Sequence, residues 1–287
     1  MLPPVFGVIF DGLAYGMLLF LLSVGQSVTL GMMNFINLAH CSFAMLGGYV
    51  TILLMRHYGW PFFATLPLAI IAAALVSVGF ERTLFRRLYR ASELDQVLLT
   101  IGLVFISVAA AAYAFGTDQQ PLQLPAYLRS SLNFMGLRFE VYRLILIGLA
   151  LAITGALVLG VEYTRFGARV RAAVDNERMA RGLGIDVDRT FAITFALGSG
   201  LAGLGGALAI EVFGLDPSFA LVYLVYVLIV VSVGGLGSIS GSFAAAIVLG
   251  ISDVAGKYYV PQLGAFLIYL VMISLLMWRP LGLFGRR

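Results

Sequence analysis

Residues 11–50 read DGLAYGMLLFLLSVGQSVTLGMMNFINLAHCSFAMLGGYV. Two apolar stretches flank a polar, glycine-marked centre, which contains Gln26, Thr29, Asn34, Asn37 and His40. In a lipid bilayer, polar side chains and interrupted backbone persist only where protein or water covers them. The pattern therefore predicts an interrupted pair of membrane-spanning helices that line a polar path.

The amino-acid composition favours a membrane protein over a soluble domain. The chain has 287 residues, of which 61% are hydrophobic and 11% are charged, whereas a soluble domain carries about 25% charged residues. The arginines lie mainly in short loops between apolar segments, which argues against nucleic-acid binding. We expect an all-α, polytopic protein with one transmembrane domain over residues 1–287.

Nine apolar segments are candidates for spanning helices, since a bilayer core requires about 20 apolar residues. They lie near 6–30, 35–55, 61–80, 97–116, 142–161, 191–212, 222–236, 239–255 and 262–278. The motif GGLGSISG separates two of the shorter segments, so these are either two tilted helices or one broken unit. The prediction is therefore eight to nine transmembrane helices, some of them broken.

The distribution of positive charge predicts the orientation in the membrane. Segments 81–96, 162–190 and 279–287 contain 13 of the 18 lysine and arginine residues. Because cytoplasmic loops are enriched in positive charge, the C-terminus is predicted in the cytoplasm. An odd number of spans then places the N-terminus outside. The polar segment 117–141 becomes an external loop, for which we expect a short interfacial helix.

The cytoplasmic loop 162–190 is much longer than a simple helix connection of about 2–8 residues. Asp175 or Asn176 can cap a new helix, because either side chain accepts from free backbone N–H groups. Glu177 precedes Arg181 by four residues, which is the favourable order for an ion pair on a helix. We therefore expect a short helix in this loop.

Met179 and Leu183 form a small apolar stripe on this expected helix, opposite its charged residues. An amphipathic helix at the membrane surface can insert into the groove of a soluble partner. It can also rest on lipid headgroups. The loop by itself leaves both interpretations open.

Five segments together resemble the permease subunits of ATP-binding-cassette importers for branched-chain amino acids. They are GLAYG, NFINLAHCSFAMLGGYV, FGARVRAAVDNERMARGLGI, FALGSGLAGLGGALA and VVSVGGLGSISGSFAAAIVLG, in order over nearly the whole chain. The chain departs from the family's pattern at Cys41, where glycine is usual, and at Gln26, where an apolar residue is usual.

The resemblance implies a permease that forms half of a translocation pathway in the bacterial inner (plasma) membrane. The implied partners are a second homologous permease subunit, two cytoplasmic ATPase subunits that bind the ATP, and an external substrate-binding protein. It also implies that the loop helix couples to the ATPase. The coupling candidates are Asp175, Asn176, Glu177, Arg178, Arg181 and Gly184.

The candidates for the substrate pathway are the polar residues of the first break. They are Gln26, Asn34, Asn37, His40 and Ser42. Because Asn34, Asn37 and His40 recur every three residues, a helix would place them on one face. Their amide and imidazole groups could bind a zwitterionic or amide substrate. Alternatively, they satisfy backbone groups at the break.

Four acidic residues, Asp11, Glu211, Asp216 and Asp253, lie near the predicted outer ends of spans, where water reaches them. Glu211 and Asp216 are candidate contacts for the external receptor, or ordinary interfacial charges. Lys257 follows Asp253 by four residues and can pair with it. With no carboxylate at mid-membrane, the pattern disfavours an ion-driven carrier.

The glycine-rich run at 198–206 predicts close contact between helices. The sequence shows no Ser-His-Asp set, paired catalytic acids or cluster of metal ligands. We therefore expect a transporter subunit that is not an enzyme, with no metal site and no cofactor of its own. The alternative function is a standalone channel or an ion-coupled secondary transporter, which would work without an ATPase.

Overall fold

The computed structural model describes residues 4–33, 35–89, 91–120, 122, 124–134 and 137–285. The helices are α1 Pro4–Met33, α2 His40–Tyr58, α3 Phe62–Phe80, α4 Glu93–Phe115, α5 Val141–Glu162, α6 Arg165–Asp175, α7 Glu177–Gly182, α8 Val187–Phe213, α9 Phe219–Gly234, α10 Ile239–Tyr259 and α11 Gly264–Trp278. Helix α3 continues through a π-helical turn, Glu81–Phe85, into Arg86–Leu88. Two antiparallel strands, β1 Ser131–Phe134 and β2 Leu137–Glu140, form a hairpin.

Six helices of the described chain, α1, α3, α4, α5, α8 and α10, are long and apolar enough to cross a membrane. Helix α9 and the apolar part of α11 are shorter. Helix α2 carries His40, Ser42 and Thr51 among its apolar residues. The prediction of an all-α, multi-pass membrane protein is confirmed. The segments around GGLGSISG form two separate helices, α9 and α10.

Helices α1 and α8 form the centre of the bundle. Helix α1 packs against α8 and α10, and α8 also packs against α2 and α3. Glycines allow this proximity, since a Cβ atom on Gly25 would collide with the Gly198 carbonyl, and one on Gly206 with that of Ala44. The prediction of close helix contact at 198–206 is confirmed.

Helix α2 begins beside the middle of α1. The His40 Nε2 atom lies 3.1 Å from the Leu22 carbonyl oxygen, although α1 continues to Met33. At 1.5 Å per residue, Leu22 lies about 16 Å from that end of α1. The chain therefore folds back along α1 before α2 begins, and the polar break lies within the bundle.

Buried side chains hold this returning segment in place. The Phe35 ring contacts Phe85, with ring centroids 5.3 Å apart, and Phe195, at 6.4 Å. The Ile36 backbone N–H donates to Gln96 Oε1 at 3.1 Å, and Gln96 Nε2 donates to the Leu88 carbonyl at 3.2 Å. Gln96 thus satisfies one backbone group of the break and one at the end of the α3 extension, as a membrane interior requires.

The segment 117–141 contains the hairpin, so the expectation of a short interfacial helix there was wrong. Arg143, at the start of α5, pairs with Asp11 of α1 and with Glu140 of β2, the latter at 2.7 Å. These ion pairs tie the hairpin to the bundle. We refer to this side as the hairpin end, and to the opposite side as the α6–α7 end.

Candidate transport pathway and coupling surface

Three of the pathway candidates lie inside the bundle. Gln26 of α1 is 1% exposed, and Asn37 and His40 are fully buried. Ser42 is half-buried and accepts a hydrogen bond from Ser107 of α4 at 2.7 Å. Asn34 lies outside the described residues. Because Asn37 precedes the start of α2, the expectation that it shares a helical face with His40 was wrong.

The buried polar groups at the break have unused hydrogen-bonding capacity. Within the described residues, the amide oxygen and nitrogen of Gln26 and of Asn37 have no hydrogen-bond partner, and His40 Nδ1 has none. Because a carbonyl can only accept, His40 Nε2 donates to Leu22 and Nδ1 is left as an acceptor. Buried polar groups are normally paired, so this set is a candidate for binding a polar solute.

Ser199 belongs to the same helix crossing, although the sequence did not suggest it. It is buried on α8, and its hydroxyl has no partner in the described part of the chain. Its neighbour Gly198 touches Gly25, the neighbour of Gln26. The signal in the sequence was a single serine within a glycine-rich run, which also fits simple helix packing.

At the α6–α7 end, residues 165–182 form two short helices. The Asn176 side chain accepts from the Met179 N–H at 3.0 Å and caps α7, which confirms that predicted cap. The predicted ion pair is also present, with Arg181 Nη2 2.9 Å from Glu177 Oε1. Gly184 has a φ of 82°, a conformation that favours glycine, and ends this turn.

The remaining coupling candidates lie on the surface of this end. Asp175 ends α6 and Arg178 lies on α7, and both are exposed. Met179 is 63% exposed and Leu183 is 79% exposed. The apolar stripe therefore points away from the bundle, where it is available for a partner.

An ion-pair network joins the α6–α7 segment to the spanning helices. Asp188, in the first turn of α8, accepts from Arg181 at 2.6 Å and also pairs with Arg86 beyond the π-helical turn. Nearby, the Tyr89 hydroxyl donates to the buried Glu81 carboxylate at 3.0 Å. Burial, reinforced by the Glu81 charge, raises the pKa of the Tyr89 phenol, so this donor remains protonated.

A cleft of about 690 Å³ opens at the α6–α7 end. It lies between the end of α1, the helices α5 and α6, and the connection from α9 to α10. Its lining includes Gly31, Arg171, Asp175, Ser238 and Phe284. Asp175 and the segment that begins α10 therefore line the same cleft.

The acidic residues at the hairpin end differ in their environments. Glu211 is exposed on the last turns of α8. Asp216 accepts from the Ser218 N–H at 2.7 Å and from its hydroxyl at 2.5 Å, so it stabilises the turn before α9. Asp253 is only 1% exposed, so the expectation that water reaches it was wrong. Its predicted pairing with Lys257 is confirmed at 2.5 Å.

Among the residues that the structure describes, no group of three or more His, Cys, Asp or Glu side chains could hold a metal ion. Cys41 is buried in the core and is unpaired.

The family model for the permease component of the branched-chain amino acid transport system matches residues 8–276. This chain belongs to that family. LivH, the high-affinity branched-chain amino acid transport system permease protein of Escherichia coli, is 26% identical over 96% of this chain and 94% of its own length.

Two further relatives belong to the same permease group. The probable branched-chain amino acid transport permease protein LivH of Methanocaldococcus jannaschii is 28% identical, over 94% of this chain and 90% of its own length. The permease protein LivM of Escherichia coli is 28% identical, over 93% of this chain and 68% of its own length. The resemblance to this permease family is therefore confirmed.

Proposed function

We propose that this chain is the permease subunit of an ATP-binding-cassette importer that takes up branched-chain amino acids or a related small polar solute. It forms half of the pathway, and a second homologous permease forms the other half. Two cytoplasmic ATPase subunits bind and hydrolyse the ATP, and an external binding protein delivers the substrate. The observation that carries this proposal is the family match over nearly the whole chain.

In this proposal the protein lies in the bacterial inner membrane, with eight or nine transmembrane helices. The N-terminus and the hairpin are outside, and α6, α7 and the C-terminus are in the cytoplasm. The excess of arginine at the α6–α7 end supports this orientation. Glu211 and Asp216 then face the binding protein.

Coupling to the ATPase proceeds through α7. Two features support this role, the exposed stripe of Met179 and Leu183 and the contact between Arg181 and Asp188. A movement of α7 that an ATPase produces would act on α8, which carries the central helix crossing. The buried polar groups of Gln26, Asn37 and His40 would become accessible to the solute when the helices at this crossing move.

The test is uptake of radiolabelled leucine into proteoliposomes that contain the purified transporter, with the binding protein supplied. We expect uptake to require ATP and every partner subunit. A variant that combines Met179→Ser and Leu183→Ser should insert and assemble normally but lose most of its uptake, since it weakens the apolar contact with the ATPase.

The matched control is Leu132→Ser on the hairpin, which alters a leucine of similar exposure, 57%, at the opposite end. It should retain uptake. Full uptake by this chain alone, without ATP or partners, would instead show a channel or an ion-coupled carrier.

A further inference from the structure

A charged and aromatic cluster inside the hairpin end has no role in the pathway described above. Asp253 of α10 is buried, and its Oδ2 atom accepts from Lys257 Nζ at 2.5 Å. Its Oδ1 atom is equally buried and lacks a hydrogen-bond partner within the described residues. The Lys257 side chain is 53% exposed, so this pair connects the bundle interior to its surface.

Tyrosine side chains lie near this ion pair. Lys257 Nζ lies 5.5 Å from the centroid of the Tyr15 ring, which is within range of a cation–π interaction. Tyr15 and Tyr226 lie within electrostatic range of the Asp253 carboxylate, and Tyr269 lies beside Tyr226. Helices α1, α9, α10 and α11 therefore all contribute side chains to the cluster.

The aromatic surface continues from this cluster. The Tyr15 ring meets Phe213 with centroids 5.4 Å apart, and Phe213 stacks on Tyr223 at 4.4 Å. Tyr223 in turn contacts Phe219 at 4.5 Å. One buried carboxylate and one accessible ammonium group thus adjoin a wide apolar and aromatic surface.

A buried ion pair that leaves one carboxylate oxygen without a donor is a weak source of stability. Breaking or half-satisfying a buried pair is costly, and well-packed apolar residues are often at least as stable. A second buried carboxylate, Glu81, shows the alternative, because the Tyr89 hydroxyl donates to it. Ionisable residues within membrane spans are commonly functional.

We propose that Asp253 and Lys257 form a binding site for the charged head of a zwitterionic amino acid. The substrate ammonium group binds the Asp253 carboxylate, with Tyr15 and Tyr226 beside it. It displaces Lys257, whose ammonium group then binds the substrate carboxylate. Two ion pairs replace one, so no charge is left unpaired, and an apolar side chain of the substrate packs on the Tyr223 and Phe213 rings.

This proposal rests on the proposed function, since it gives the importer a site that recognises the substrate at its outer side. The site lies nearer the hairpin end than Gln26 and His40, because Asp253 lies close to the end of α10 at Tyr259. A substrate that the binding protein releases would reach Asp253 and Lys257 first, and the buried groups at the central crossing afterwards.

The first test uses the purified transporter in detergent, without ATP and without the binding protein, and needs no variant. The probes are L-leucine, 4-methylpentanoate, which lacks the ammonium group, and 3-methylbutylamine, which lacks the carboxylate. We expect leucine to raise the thermal midpoint in a saturable manner. Each analogue should bind about 100-fold more weakly, because one buried charge of the protein stays unpaired.

The second test changes the site and asks for rescue by the complementary probe. Lys257→Met should abolish the response to leucine and allow a response to 3-methylbutylamine, which still pairs with Asp253. Asp253→Asn should lose leucine and gain 4-methylpentanoate, which pairs with the freed Lys257. If Asp253 and Lys257 had only a structural role, these substitutions would not change which probe binds best.

The control is Asp11→Asn, which removes the carboxylate of another ion pair at the hairpin end. It should keep the leucine response of the unmodified protein. Equal responses to leucine and both analogues would overturn the site, as would no response to leucine. Stabilisation by sodium chloride but not by choline chloride, without a leucine response, would show that Asp253 Oδ1 binds a metal cation. That result would also overturn the amino-acid site.

These outcomes are separate from those of the uptake experiment. ATP-dependent leucine uptake by a transporter that shows no leucine-induced stabilisation would remove the site and leave the function intact. Leucine binding with the expected charge dependence but without ATP-dependent uptake would support the site and overturn the importer function.

Discussion

At the scale of single residues, the most informative feature is a buried amide that lacks partners. The Gln26 side chain of α1 is buried, and neither its amide oxygen nor its amide nitrogen has a hydrogen-bond partner within the described chain. An unsatisfied buried polar group costs about 1–3 kcal/mol. Such a cost is tolerable where the group serves a solute during transport.

Replacing this amide should therefore separate stability from activity. We expect Gln26→Leu to raise the thermal midpoint of the purified transporter by several degrees and to reduce leucine uptake. The control is Thr29→Val, one turn along α1, where the hydroxyl already donates to the Gly25 carbonyl at 3.1 Å. It should gain no stability. A Gln26→Leu variant with unchanged uptake would exclude Gln26 from the pathway.

At the scale of helices, backbone contact decides which positions accept a side chain. A Cβ atom on Gly206 of α8 would collide with the Ala44 backbone, whereas one on Gly155 of α5 would meet nothing within 4 Å. Alanine is otherwise favoured over glycine in a helix by about 1 kcal/mol. The same substitution should therefore have opposite effects at these two positions.

We expect Gly206→Ala to prevent assembly or to lower the thermal midpoint strongly, because α2 and α8 must separate. Gly155→Ala should leave the midpoint unchanged or raise it slightly. Fluorescence-detected size-exclusion chromatography of both variants after a heating series measures this difference. Equal behaviour of the two variants would contradict the close packing of α2 against α8.

The link between α7 and the spanning helices gives a second prediction at this scale. Asp188 pairs with Arg86 and Arg181, whose side chains are 45% and 46% exposed. Exposed ion pairs contribute only about 0–1 kcal/mol. Asp188→Asn should therefore preserve the thermal midpoint, but loosen α7 and lower the amount of leucine transported per ATP hydrolysed.

The control for this variant is Glu93→Gln, in the first turn of α4 at the same end of the bundle. It should keep the normal ratio of transport to hydrolysis. A normal ratio in Asp188→Asn as well would show that the network does not transmit the movement of α7.

The sequence predicted what depends on local pattern. The length of the apolar segments predicted the six long apolar helices of the described chain, and the Asn176 cap and the Glu177–Arg181 pair followed from the spacing of a few residues. It did not predict that Gln96 would satisfy the break, because its partner Ile36 lies 60 residues away in the chain. The burial of Asp253 was missed for the same reason, since residues from distant helices cover it.

At the scale of the whole molecule, the single cysteine allows a direct test of the orientation. Cys41 is buried and should react slowly with a thiol reagent. Leu132→Cys on the hairpin and Leu183→Cys beyond α7 would each add one exposed thiol at opposite ends. A membrane-impermeant maleimide should label the first in intact spheroplasts and the second only after the membrane is opened.

The unmodified chain serves as the control for background labelling at Cys41. Labelling of Leu183→Cys in intact spheroplasts would reverse the proposed orientation. It would also place Met179 on the wrong side of the membrane for an ATPase.

The order of packing partners along the chain has a consequence for biogenesis. Helix α1 is synthesised first, yet it packs mainly against α8 and α10, which the ribosome produces much later. Until α10 emerges, Gly12 and Gly16 of α1 lack the backbone against which they pack. A nascent polypeptide that stalls after α5 cannot complete the packing of its first helix, and we expect membrane proteases to degrade it.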